Sequence, residues 1–132
     1  MDTKGRTVLG LIENICILGK TKHRIRLTAR IDTGATKSSL DSAIAKELSL
    51  GPIVKTKLIR SAHGHSFRPM INVNIIVGGK RVRGQFSLAD RGHMKYKALV
   101  GQNILKKGFL IDPLKNNGKN TTTCDNYESS TH

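Results

Sequence analysis

The chain has 132 residues, enough for one domain with a modest core, and with three Phe, two Tyr and no Trp that core must be aliphatic. Lys and Arg number 23 against 9 acidic residues, a net charge of +14 that calls for an anionic partner or substrate. No apolar run approaches the ~20 residues of a membrane span and no apolar signal core follows Met1 to Arg6, while two cysteines, Cys16 and Cys124, make no disulfide framework and suit a reducing compartment. A cytoplasmic protein without a membrane association is expected.

In chain order, Arg6 to Leu18 is an extended apolar segment that ends at a turn, Gly19-Lys20-Thr21-Lys22. The next run alternates: Ile25, Leu27, Ala29 and Ile31 face one way and Arg24, Arg26, Thr28 and Arg30 the other, the pattern of a half-buried antiparallel strand. It delivers Asp32 at its end, aimed by the strand yet accessible. Asp41 reads as the N-cap of a short helix with Leu40, Ile44 and Leu48 on one face, closed by Gly51 and Pro52. Ile53 to Ser61 and Ile71 to Val77 read as strands joined by a long hairpin tip from Ala62 to Pro69. Gly78-Gly79 predicts a tight hairpin turn into a strand carrying Val82, Gly84, Phe86 and Leu88. A polar loop from Ala89 to Tyr96 leads to a buried strand, Ala98 to Gly101, a helical turn from Gln102 to Lys107 and a last strand, Phe109 to Ile111, stopped by Asp112-Pro113. The expectation is one compact, mostly β domain over residues 1–114, followed by a disordered polar tail over 115–132.

The chemistry is concentrated at Asp32-Thr33-Gly34, followed by Ala35 and answered about seventy residues later by the apolar-apolar-Gly element Leu99-Val100-Gly101. A strand ending in Asp-Thr-Gly-Ala, then a hairpin, then such an element opening a short helix, resembles the retropepsin-like aspartic proteases from about Val8 to Pro113, which implies a mostly β fold, a closed barrel or sandwich with one or two short helices. Gly101-Gln102-Asn103-Ile104-Leu105 is similar to the Gly-Arg-Asn-Leu-Leu segment of retroviral proteases. A narrower resemblance, carried by Ala29 to Ser39, Asp90 to Tyr96 and Phe109 to Pro113, is to the cellular branch named for ATP-dependent zinc proteases, its archaeal members above all.

What the resemblance implies is specific. Such an enzyme needs two carboxylates sharing one proton, and this chain carries the tripeptide once, so catalysis implies a homodimer with one Asp32 from each protomer. Thr33 would hydrogen-bond across the dimer, Gly34 would let its N–H approach the carboxylate, and Ala35 would leave room for the substrate backbone. Lys37, Arg60, His63, Gly64, Arg68, Arg91 and Lys95 are the candidate substrate-binding residues, the hairpin and the 89–96 loop being the segments that border the cleft in that fold. The branch is associated with ligases that add glutamates to proteins, which implies an acidic peptide or oligoglutamate-modified protein as substrate.

Two features depart from the retroviral pattern. Thr36-Lys37 stands where an acidic residue usually follows Asp-Thr-Gly-Ala, and Gln102 replaces its arginine partner, so this dimer edge must be built differently. The histidines His23, His63, His65 and His93 and the cysteine Cys16 form no His-Glu-x-x-His or Cys-x-x-Cys pattern, and no cofactor or catalytic metal is expected. The rival reading is a basic RNA- or ribosome-binding module on the same fold without catalysis, favoured by charge and opposed by the lack of aromatics for base stacking.

Overall fold

The structure, a computed structural model, describes residues 4–62, 64–115 and 124. Its strands are β1 (Thr7–Leu9), β2 (Ile12–Leu18), β3 (Arg24–Ile31), β4 (Ser38–Asp41), β5 (Ile53–Ser61), β6 (Gly64–Val77), β7 (Lys80–Ala89), β8 (Ala98–Val100) and β9 (Phe109–Ile111), with two short helices, α1 (Ser42–Glu47) and α2 (Gln102–Leu105). Strands pair in the order β2-β3-β8-β4-β7-β6, and β6 pairs again with β2, so six strands close into a barrel and β5 hangs outside it on β6. The mostly β content is what the alternation of apolar residues leads one to expect, and the barrel with two short helices is the class that the retropepsin-like resemblance implies.

Period-2 burial explains the closure. Ile15 and Ile17 on β2, Ala29 and Ile31 on β3, Ile71, Val73, Ile75 and Val77 on β6, and Val82 and Phe86 on β7 all enter one core, which Leu40, Ala98, Val100 and Ile104 complete. Gly84 faces α2 so closely that an added Cβ would strike the Ile104 side chain, which is how a helix packs directly on β7.

Four expectations need correction. The apolar segment from Arg6 to Leu18 is two strands, because the chain breaks at Gly10 to let β1 leave the barrel and pair in parallel with β9. The β3 strand is antiparallel to β2 but parallel to β8, so it is not purely antiparallel. The hairpin has almost no loop, since β5 and β6 pair from Ile53↔Ile71 out to Ser61↔Gly64, and residues 64–69 pair with no strand other than β5. Cys16 and Cys124 are joined in a disulfide across a sequence separation of 108, so the cysteine content carries no argument for a reducing compartment. Asp41 does hold the N-cap position of α1, but as the last residue of β4 and without a side-chain cap hydrogen bond.

Of the expected tail, 116–123 and 125–132 lie outside the described residues, whereas Lys115 and Cys124 are tied to the barrel. The Lys115 ammonium reaches the fully buried Glu13 carboxylate at 3.0 Å and the Val8 carbonyl at 3.0 Å, and the Gly10 N–H donates to the same carboxylate oxygen at 2.6 Å. Removing the cation from a buried carboxylate leaves its desolvation uncompensated. Lys115→Ala is expected to lower stability by about 2 kcal/mol, less than for a wholly buried pair because Lys115 is partly exposed; urea melts at pH 7 check it.

Among the described residues no helix is long and apolar enough to cross a membrane.

Candidate active site

Asp32 leaves the barrel at the end of β3 and its backbone N–H donates to the Val100 carbonyl at 2.9 Å, which locks the turn to β8. Asp32 is half-buried, and Thr33 and Gly34 are exposed. The Gly34 N–H donates to Asp32 Oδ1 at 2.9 Å, and the Ala35 N–H donates to the Asp32 carbonyl at 3.2 Å. An added Cβ on Gly34 would sit 3.3 Å from that same Oδ1, so any larger residue crowds the carboxylate it orients. The other oxygen, Oδ2, has no hydrogen-bond partner among the described residues and is available for chemistry.

The turn is held from below by β8 and α2. Gln102 N–H donates to the Ala35 carbonyl at 2.8 Å, Asn103 N–H to the Thr36 carbonyl at 3.1 Å, and the Gln102 side-chain amide to the Thr33 carbonyl at 2.8 Å. The start of α2 thus spends its unpaired N–H groups on the carbonyls of the 33–36 loop. Gln102, where the retroviral pattern has arginine, therefore braces the Asp32 turn within its own chain. Ser38 completes the frame: its hydroxyl accepts from the Gly101 N–H at 2.9 Å and donates to Asn103 Oδ1 at 2.8 Å, while the Asn103 amide donates to the Gln85 carbonyl at 2.8 Å.

Sequence reasoning did not single out Ser38 or Asn103. Asn103 stands in the Gly-Gln-Asn segment that carried the resemblance, a signal that was present; nothing local marks Ser38 as different from Ser39.

The candidate substrate residues fall into two groups. Ala35 and Lys37 lie in the Asp32 turn and are half-buried. Arg60 and Arg68 lie on the β5–β6 arm, Arg60 opposite His65 and Arg68 opposite Lys57; Gly64, at the arm's end, has a φ of +112°, a backbone state that favours glycine. His63 lies outside the described residues. On the 90–96 loop, the Arg91 N–H donates to the buried Asp41 carboxylate at 2.9 Å and its Nε to the Tyr96 carbonyl at 3.0 Å. Burial first and the nearby Arg68 guanidinium second push the Arg91 pKa below its usual value, with the Asp41 carboxylate acting in the opposite direction. The Lys95 ammonium lies 5.5 Å from the centroid of the Tyr96 ring. The structure therefore brings Arg68 to Arg91. No hydrogen bond or ion pair links that pair to Asp32–Gly34 among the described residues.

Beside Thr33 is an open groove of about 360 Å³, lined by Arg6, Gln102, Leu105, Lys106, Phe109 and Ile111 among others. It runs from Thr33 to the β1–β9 pair. Among the described residues no three His, Cys, Asp or Glu side chains converge as metal ligands, and Cys16 is consumed in the disulfide, so the donor set does not fit a zinc centre.

Comparison with solved structures identifies the architecture. The crystal structure of protein Lpg0085, of unknown function, from Legionella pneumophila superimposes with a TM-score of 0.57 at 20% identity, covering 89% of this chain and 98% of that one. The solution structure of the simian foamy virus (mac) protease gives 0.54 at 20% identity, covering 72% of this chain and 91% of that one. These likenesses establish a retropepsin-like fold. No curated protein matches the sequence. The sequence pattern of the RimB-like family, described as retropepsin-like aspartic endopeptidase RimB, matches residues 42–121, well over half of the chain, beginning after the Asp32 turn and taking in β8 and α2, which brace it. On that match the chain belongs to the RimB-like family of retropepsin-like aspartic endopeptidases.

Proposed function

We propose that the protein is an aspartic peptidase active as a homodimer, with Asp32 from each protomer flanking one water. The observation that carries this reading is the Asp32–Gly34 turn, whose half-buried carboxylate has Oδ1 held by the Gly34 N–H and Oδ2 without a hydrogen-bond partner among the described residues. Two such carboxylates brought together cannot both ionise, so the pair holds one proton. The ionised carboxyl takes a proton from water as the oxygen attacks the amide carbon, and the protonated carboxyl donates to the carbonyl oxygen. The first carboxyl then passes its proton to the departing nitrogen while a hydroxyl of the tetrahedral diol gives its proton to the second carboxylate, which breaks the C–N bond, leaves a carboxylic acid and restores the shared proton.

The dimer follows from the chemistry, since one chain supplies one such turn. The open groove beside Thr33 is the surface on which a second copy would be seated. Specific activity is therefore expected to fall as the protein is diluted through its dimer dissociation constant, in step with the loss of dimer. Light scattering and turnover across one dilution series check this; a fully active monomer overturns it.

An acidic peptide, or a protein carrying an oligoglutamate tail, is the substrate class best supported. Arg68 and Arg91 repel one another, and a carboxylate bound between them relieves that repulsion. Exposed cations attract an anionic chain at range and are screened by salt. The kcat/KM for a glutamate-rich peptide is expected to exceed that for a neutral peptide of equal length at ~0.05 M salt, and the advantage to shrink steeply by ~0.5 M as the Debye length contracts. A ratio near one at low salt counts against acidic-substrate capture.

One observation favours the nucleic-acid reading: Arg24, Arg26, Arg81 and Arg83 lie on strands whose outward side chains are not those of the Asp32 turn. Turnover by the purified protein separates the two readings, because a binding module has none.

A further inference from the structure

The outer surface of β3-β2-β6-β7 carries a second, separate apolar cluster. Along β2, Ile15 and Ile17 enter the barrel core, whereas Cys16 and Leu18 point outward and pack with Ile76 and Cys124. Strand register places this strip between arginines. One row reads Arg26, Cys16, Ile76, Arg81 across the four strands, and the next reads Arg24, Leu18, Asn74, Arg83. Neither row contains an acidic residue. Arg26, Arg81 and Arg83 are exposed, and Arg24 is half-buried.

Cys124 sits on this strip. Its sulfur is bonded to Cys16 with the two Cα atoms 5.6 Å apart, and its carbonyl accepts from Arg24 Nη1 at 3.1 Å. The Arg24 Nε is buried without a partner among the described residues. The sequence continues from Cys124 as Asp125, Asn126, Tyr127 and Glu128. With strands ~4.8 Å apart, Arg26 is one strand from Cys16 and Arg81 about 10 Å away in the other direction. A chain covering up to ~3.5 Å per residue can span that distance within the four residues from Cys124 to Glu128.

We propose that this outer face is the seat of the chain's own segment 125–132, with Asp125 and Glu128 pairing with the arginines that flank the strip. The Cys16–Cys124 bond anchors the segment, and its two carboxylates neutralise part of a cationic surface that otherwise faces solvent. The assignment is independent of the peptidase reading.

The experiment uses the full-length oxidised protein and a random-sequence DNA duplex as a probe of free surface cations. Binding is followed by fluorescence anisotropy across a salt series. Each arginine withdrawn from the probe reduces the slope of log K against log salt by ~0.9. Asp125→Asn with Glu128→Gln is expected to steepen the slope by about two units. Asp90→Asn with Asp112→Asn, the same charge change away from this face, is expected to leave it unchanged. Reduction by dithiothreitol, which delivers two electrons and two protons to the sulfurs and closes to its own cyclic disulfide, is expected to give the steep slope in the parent protein and no further change in the Asp125→Asn, Glu128→Gln protein. Cys124→Ser reaches the same released state without reductant.

Equal slopes for the parent and the tail variant overturn the proposal, as does a reduction effect that persists in the tail variant. Two free thiols in the purified protein, found by alkylation and mass analysis, overturn it as well. A steep slope in the oxidised parent that Arg81→Gln with Arg83→Gln flattens would assign the face to an external polyanion instead.

Discussion

Asp32→Asn is expected to abolish peptide hydrolysis while leaving the fold untouched. The amide keeps the shape of the carboxylate, and its oxygen still accepts from the Gly34 N–H, which donates to Oδ1 at 2.9 Å in the parent chain. What it lacks is the ability to take a proton from water and to share one with its mate. Loss of general acid–base catalysis alone costs about 10²–10⁴-fold, and here the same substitution removes both the base and the acid of the pair. A loss of turnover of at least about 10⁴-fold, with an unchanged thermal melt and unchanged dimer, is the expected result. Wild-type turnover in Asp32→Asn would move the chemistry elsewhere in the molecule.

The second large effect is expected at Gly101. A Cβ there would lie 2.7 Å from the Ala35 carbonyl oxygen and closer still to that of Lys37, both backbone atoms of the catalytic loop. Backbone cannot swing aside as a side-chain tip does, so Gly101→Ala must push the 35–37 loop away from β8. That displacement breaks the hydrogen bonds from Gln102 and Asn103 to Ala35 and Thr36 that hold the Asp32 turn. Overpacking of this kind costs about 3 kcal/mol, and the movement it forces is far larger than catalysis tolerates. A lowered urea midpoint together with loss of nearly all turnover is expected. Retained activity at reduced stability would show that the carboxylate is aimed by β3 alone.

Both effects depend on contacts of unequal visibility in the sequence. The β3 strand and the Gly78-Gly79 hairpin are legible because apolar and polar residues alternate along them in the sequence. The β4 strand is not. Ser38, Ser39, Leu40 and Asp41 are all buried, with β7 on one side and β8 on the other, so no alternation survives to announce it. Asp32 itself is legible as a motif, but its bracing is not: Ser38 and Asn103 are polar residues whose partners lie 63 and 65 positions away, and only the assembled barrel brings them together. The disulfide escapes for the same reason, since two cysteines 108 residues apart carry no spacing signal.

Closure of the barrel also decides where another polypeptide can join this one by its main chain. Six strands spend both of their hydrogen-bonding sides within the ring. Among the described strands, an unpaired side is left on β5 and along the two-stranded β1–β9 pair. Such rims are natural templates for an incoming strand, and cationic side chains on them deter self-association. The β5 rim bears Lys55, Lys57 and Arg60. Like charges keep a second copy of that rim away, whereas an extended acidic chain meets free amides and carbonyls with compensating charge beside them.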